Sequence, residues 1–150
     1  MNYLLDTCVI SELVKVTPNE NVINWINHTP NERLFLSVIT IGEIRKGITK
    51  LPDSKKKYRL TNWLNTLLED YQASIYPIDL AVAENWGSIQ GKAENNGTPV
   101  ASVDSLIAAV AQTYNLIVVT RNENDFASTN VTILNPWKDN GFDALENPNK

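Results

Sequence analysis

Cysteine and histidine are almost absent from this chain: Cys8 and His28 are single examples of their kind. One cysteine excludes an intramolecular disulfide framework and a cysteine zinc site. With one histidine beside it, a soft-ligand metal centre built from this chain is excluded as well. No Ser/His/Asp grouping for a covalent mechanism is apparent, and His28 reads as an ordinary helix-end residue. Glycine is sparse, and Gly87, Gly91 and Gly97 are not spaced as a phosphate-binding loop. Aromatic side chains are few, and Trp25, Trp63, Trp86 and Trp137 are too scattered for a base-stacking platform, so they read as packing residues. No basic leader or long apolar run is present, which predicts neither a secretory signal nor a membrane-spanning helix and leads us to expect a soluble cytoplasmic protein. Internal repeats, low-complexity tracts and linkers are also missing.

What is present suits one domain. A chain of 150 residues buries roughly 70% of its unfolded surface. Apolar residues at 43% and charged residues at 20% exclude a wholly disordered chain. The net charge of −4 argues against a nucleic-acid partner, but its distribution argues the other way. Seven of the thirteen Lys and Arg lie between Arg45 and Arg59, opposed only by Asp53, so that stretch carries +6 and the remainder −10. A basic patch on an acidic body suits a phosphate-rich partner, while a charge run is also an ordinary solvated helix face.

Hydrophobic spacing predicts strands at 2–6, 33–37, 74–76, 116–120 and 131–134, and helices at 7–15, 21–27, 39–50, 54–71, 79–95 and 102–114. Asp79 reads as a helix N-cap, and Asn96-Gly97-Thr98-Pro99 as a loop. Strands alternating with helices predict an α/β fold, with a mainly parallel central sheet and helices on both faces. Residues 1–137 read as the domain and 138–150 as a polar C-terminal tail, with Trp137 and Phe142 as the residues able to tie it down.

Open parallel sheets bind ligands beyond the carboxyl ends of their strands. Asp6 closes the first predicted strand, Glu43 lies in the helix after the second, Asp104 opens the 102–114 helix, and Asp125 follows the 116–120 strand. Four ionised carboxylates at one edge require a cation or shifted pKa values, and hard oxygen donors select Mg²⁺ or Mn²⁺. Metal-assisted hydrolysis of a phosphodiester suits such a site. Each acid also has a local reading: Asp6 as a helix cap, Asp104 as a helix-end charge, Asp125 as turn chemistry, and Glu43 as an acid needing a partner in an apolar stretch. Cys8 reads as a small apolar packing residue.

Taken in order, four segments resemble a known family. Tyr3-Leu4-Leu5-Asp6-Thr7-Cys8-Val9-Ile10-Ser11-Glu12-Leu13 resembles the opening motif of PIN-domain ribonucleases, in particular the VapC-type toxins of toxin–antitoxin pairs. The stretch from Ser37 to Gly47, around Glu43, resembles the second motif, Asp104-Ser105-Leu106-Ile107-Ala108-Ala109 the third, and Val119-Thr120-Arg121-Asn122 with Asp125-Phe126 the fourth. The resemblance covers residues 2 to 135. It implies that Asp6, Glu43, Asp104 and Asp125 hold Mg²⁺ or Mn²⁺, with Thr7 and Thr120 as polar supports. It also implies endoribonuclease activity, a homodimer and an antitoxin protein partner. Arg45, Lys46, Lys55, Lys56, Lys57 and Arg121 become candidate RNA contacts, the stretch from 54 to 71 serving RNA or antitoxin. Two departures, Cys8 where asparagine is frequent and Val110 where threonine is frequent, remove no ligand. The rivals are a structure-specific DNA nuclease and a non-catalytic RNA- or partner-binding module. A phospho-acceptor domain would need a lysine after a late strand, where Arg121 stands.

Overall fold

The computed structural model describes residues 1–138; the candidate tie at Phe142 and most of the expected tail lie outside them. Five short strands form one all-parallel sheet: β1 Tyr3–Leu5, β2 Leu34–Ser37, β3 Ile75–Tyr76, β4 Ile117–Val119 and β5 Ile133–Leu134, in spatial order β3-β2-β1-β4-β5. Tyr3 lies opposite Leu34 on one side and Ile117 on the other, and Leu5 lies opposite Val119. The chain therefore builds outward from β1 in one direction and then from β4 in the other. The switch point between β1 and β4 is where an open parallel sheet forms a ligand crevice.

Six helices cover the sheet: α1 Thr7–Leu13, α2 Glu20–His28, α3 Val38–Thr49, α4 Lys55–Asp70, α5 Leu80–Asn95 and α6 Ser102–Tyr114. Strand periodicity splits the core in two. Tyr3, Leu5, Leu34, Leu36 and Val119 point to one side, where Val9, Ile10, Trp25, Ile44 and Leu64 complete the cluster. Leu4 and Val118 point to the other, against Val82, Ile89, Phe126 and the near-continuous buried run Ile107 to Ala111 of α6. Leu4, Leu5, Val118 and Val119 are wholly buried. Coverage on both faces is why these strands are unbroken apolar runs instead of alternating ones. Each such Leu or Val contributes about 1.5–3 kcal/mol on burial.

Local chemistry sets the helix boundaries. The side chain of Asn19 accepts from Asn21 N, that of Ser37 from Ile39 N, that of Ser54 from Lys57 N, and that of Asp79 from Val82 N, so α2 to α5 all begin on a side-chain cap. Past the end of α5, Gly97 takes φ +68° and the Thr98 amide returns to the Ala93 carbonyl, the left-handed stop that glycine adopts without strain. The helix predicted over 7–15 is shorter, because Val14 already caps α1. The strands predicted over 2–6, 116–120 and 131–134 also shorten, although their flanking residues Asn2, Asp6, Thr120 and Thr132 still share main-chain hydrogen bonds with neighbouring strands. Among the described residues, no helix is long and apolar enough to cross a membrane.

Candidate active site

The switch point holds the first acid. Asp6 follows β1 directly, and its backbone amide donates to the Val119 carbonyl at 3.0 Å, clamping it beside the end of β4. Its carboxylate is 5% exposed and accepts three bonds: from the Thr7 amide at 2.8 Å, the Thr120 hydroxyl at 2.8 Å and, more weakly, the Cys8 thiol at 3.7 Å. Burial pushes this carboxyl above the ordinary aspartate value, the bonds from Thr120, Thr7 and Cys8 pull it back, and the charge of Asp125 raises it further. Asp6 is thus both the N-cap of α1 and, through Thr120, a tie between the ends of β1 and β4.

Thr120 is wholly buried at the end of β4, 114 positions from Asp6 in the chain. Besides donating to Asp6, its hydroxyl accepts from the Asn122 amide at 3.0 Å. That bond turns the chain into the 3-10 segment Glu123–Phe126, which presents Asp125 at the surface while Phe126 is buried beneath. Asn135 and Lys138 hold the outside of this turn through the Glu123 carboxylate, at 3.2 and 3.1 Å. Across the crevice, the Thr7 hydroxyl donates to Glu43 Oε1 at 2.6 Å and stands 3.3 Å from the hydroxyl of Thr40. Thr40 and Glu43, three residues apart, share a face of α3, so Thr7 ties the start of α1 to that face.

Asp104 is the third residue of α6 and is half-buried. Its carboxyl is raised from 3.8 to about 6 by burial first, then by the charges of Asp125, Asp6 and Glu43. One side chain therefore feels the other three acids at once, so four carboxylates from four separate segments share one field. Among the described residues, no three His, Cys, Asp or Glu side chains close on a single point at ligand distance. The donor set is all carboxylate oxygen with hydroxyls behind it, which matches a hard divalent cation and not zinc or copper.

Other residues singled out from the sequence fall elsewhere. Asp79 caps α5 and is also bonded by the Tyr114 hydroxyl, which with the Val82 amide holds its carboxyl below the usual range. His28 closes α2, with Nδ1 2.7 Å from the Asn24 carbonyl oxygen. Arg45, Lys46, Lys55 and Lys56 are exposed. Lys57 donates to the Leu51 carbonyl at 3.0 Å and the Thr49 carbonyl at 3.4 Å, so its ammonium closes the end of α3. The Arg121 guanidinium carbon lies 5.2 Å from the centroid of the Trp137 ring, a cation–π contact beside the crevice. Sequence reasoning missed two members of the site. Thr40 was legible only as a hydroxyl one turn before Glu43. Cys8 packs against the first core cluster as an apolar residue would, yet its sulfur also meets Asp6 and lies 3.5 Å from the Thr120 hydroxyl.

A five-stranded parallel sheet with an acidic crevice at its switch point defines the class, and residues 3–131 match the PIN domain family model. The chain belongs to the PIN-domain family. It is 38% identical over 137 residues to Toxin FitB of Neisseria gonorrhoeae, covering 91% of this chain and 99% of that protein. It is 33% identical to VapC ribonuclease Y4jK of Sinorhizobium fredii, covering 90% and 97% of the two chains. The crystal structure of FitAcB from Neisseria gonorrhoeae superposes with a TM-score of 0.85 at 38% identity, over 90% of this chain and 98% of that one.

Proposed function

We propose that this protein is a metal-dependent endoribonuclease, the toxin of a toxin–antitoxin pair, with Mg²⁺ or Mn²⁺ as its cation. The observation that carries the reading is geometric: Thr120 at the end of β4 bonds Asp6 at the end of β1, and Thr7 bonds Glu43 on α3, so carboxylates from separate segments line one crevice, where the charges of Asp125, Asp6 and Glu43 add to burial in raising the Asp104 carboxyl. The names of its relatives, a toxin and a VapC ribonuclease, support RNA as substrate and an antitoxin as protein partner. The homodimer and the domain limits at 1–137 belong to the same reading.

Asp6, Glu43, Asp104 and Asp125 would hold the cation, which supplies Lewis acidity toward a phosphodiester and toward an attacking water. The protein's own part is to hold those four carboxylates open toward the crevice. Thr7 fixes the rotamer of Glu43, and Thr120 fixes that of Asp6 while shaping the loop that carries Asp125. Such hydroxyls orient the acids that would hold the cation, Thr7 through Glu43 Oε1 and Thr120 through Asp6 Oδ2. Exposed Arg45, Lys46, Lys55 and Lys56, with Arg121 against Trp137, offset backbone phosphates of a single-stranded segment. Lys57, tied to the end of α3, is the least available of the group.

The test is cleavage of total cellular RNA by purified protein with Mg²⁺ or Mn²⁺, with EDTA, and with Asp6→Asn. Discrete cleavage that needs the metal and disappears in the variant is expected. Wild-type protein that cuts no RNA, yet binds RNA or a protein partner equally well as Asp6→Asn, would replace this reading with the binding module. Metal-dependent cleavage confined to DNA would replace the substrate.

A further inference from the structure

α6 delivers Asp104 to the crevice, yet it starts without the usual device. The N-cap residue, Ala101, makes no side-chain hydrogen bond, so the first turn lacks the cap that the five preceding helices possess. The preceding stretch, Asn96 to Pro99, is exposed loop. A first turn of this kind frays unless something else restrains it.

The restraint comes from inside. Ser105 follows Asp104 and is wholly buried. Its hydroxyl accepts from Trp86 Nε1 at 3.0 Å and from Gln90 Nε2 at 2.6 Å, and itself donates back to the carbonyl of Ala101 or Ser102, 3.0 and 2.9 Å away. Gln90 Nε2 also donates to the Val100 carbonyl at 3.1 Å. Trp86 and Gln90 are one turn apart on α5, so one face of α5 grips the first turn of α6 and the strand of loop leading into it. A second cross-link lies two turns further along α6, where Asn85 Nδ2 donates to the Thr113 hydroxyl at 2.8 Å. The same helix pair thus has one polar tie at the acid-bearing end and one remote from it.

We propose that Ser105 and Gln90 are positioning residues for the cation site: by pinning the uncapped first turn of α6 to α5, they hold the Asp104 carboxylate at the crevice beside Asp6, Glu43 and Asp125. This rests on the metal-site reading above. Loss of either tie lets the Asp104 main chain relax while the rest of α6, buried from Ile107 to Ala111, stays in place. The cost falls on cation affinity and turnover, not on RNA binding.

The experiment measures Mn²⁺ binding by the full chain, by titration calorimetry well below the melting temperature, for wild type, Asp104→Asn, Ser105→Ala, Gln90→Leu and Asn85→Ala. Removing a group that orients a metal ligand costs about 10–100-fold in affinity. Because Ser105 and Gln90 act through the main chain, about tenfold is expected for each, with kcat reduced and KM for RNA unchanged. Asn85→Ala removes a comparable bond from the same helix pair and should lower the melting temperature while binding Mn²⁺ as wild type does. If Ser105→Ala does not fold, Gln90→Leu carries the test, since Ser105 keeps its tryptophan partner and its backbone bond. Wild-type Mn²⁺ affinity in the folded variants overturns the proposal, and so does an equal loss in Asn85→Ala, which would make the effect general helix docking. A wild-type protein that binds no Mn²⁺, or an Asp104→Asn that binds it unchanged, overturns the metal site itself and the proposal with it.

Discussion

Asp104→Asn should make the metal-free protein more stable while abolishing cleavage. The carboxyl of Asp104 is raised from 3.8 to about 6, so its ionised form disfavours the folded state. A group whose folded pKa is raised contributes stability in full below its unfolded value and loses it as the pH climbs through the folded one. The loss therefore develops between about pH 4 and pH 6 and is complete at pH 7 to 8. The full shift corresponds to about 3 kcal/mol. Solvent screening of a half-buried group reduces that figure, and asparagine forfeits about 0.3–1 kcal/mol of favourable interaction with the α6 dipole, leaving about 1–2 kcal/mol. For a chain of this size that is a rise in melting temperature of roughly 3–6 °C. Thermal melts in EDTA from pH 4 to pH 8 measure it: the variant should lead at pH 8, and the gap should close toward pH 4. Added Mn²⁺ should reverse the order, because a ligand stabilises the form that binds it. A variant no more stable than wild type at pH 8, or a gap that does not change with pH, would refute the electrostatic account of the site.

Thr120→Val removes the hydroxyl between Asp6 and the Asn122 amide; kcat should fall about 10–100-fold with KM for RNA unchanged, as steady-state kinetics will show. Lys46→Gln, on an exposed turn of α3 three residues beyond Glu43, should raise KM without changing kcat. One phosphate contact fewer to single-stranded RNA also makes the salt dependence of log KM shallower by about 0.7, read from a KM series in KCl. Leu64→Ala, wholly buried where α4 packs on the first core cluster, should cost about 2–5 kcal/mol in urea unfolding with cleavage intact in the folded fraction.

The order of elements was legible because hydrophobic spacing is a local property. The helix read over 102–114 is α6 to the residue, since an apolar run begins after the Gly97–Pro99 loop and stops where Asn115 turns left-handed at φ 54°. The strand ends were read slightly too long: the Asp6 and Thr120 amides still bond the neighbouring strands, but α1 begins at Thr7 and the Asn122 amide turns back to the Thr120 hydroxyl. The expectation that Asp6, Glu43, Asp104 and Asp125 converge on one edge rests on topology for Asp6 and Asp125, which follow β1 and β4; Glu43 and Asp104 are carried by α3 and α6, and only the packing of those helices decides where they stand.

The supports of those acids were legible in kind but not in pairing. Thr7 reaches Glu43 across 36 positions, and Thr120 reaches Asp6 across 114; no periodicity encodes which hydroxyl meets which carboxylate. Cys8 was read from its size, which accounts for its packing against the core but not for a thiol that shares Asp6 with Thr120. Lys57 carries the same charge as Lys55 and Lys56, and only the turn after α3 distinguishes it by bringing two carbonyls to its ammonium. The same holds at the start of α6, where neither the uncapped Ala101 nor the buried bonds that replace its cap were read from the sequence. Trp86 read as a packing residue, whereas the packing of α5 on α6 gives its indole and the Gln90 amide a single acceptor, the Ser105 hydroxyl. An acid can be located by the strand or helix that carries it, whereas the group that holds it in place is chosen by the tertiary fold. The site should therefore tolerate changes in loop sequence between its segments far better than the loss of one buried hydroxyl.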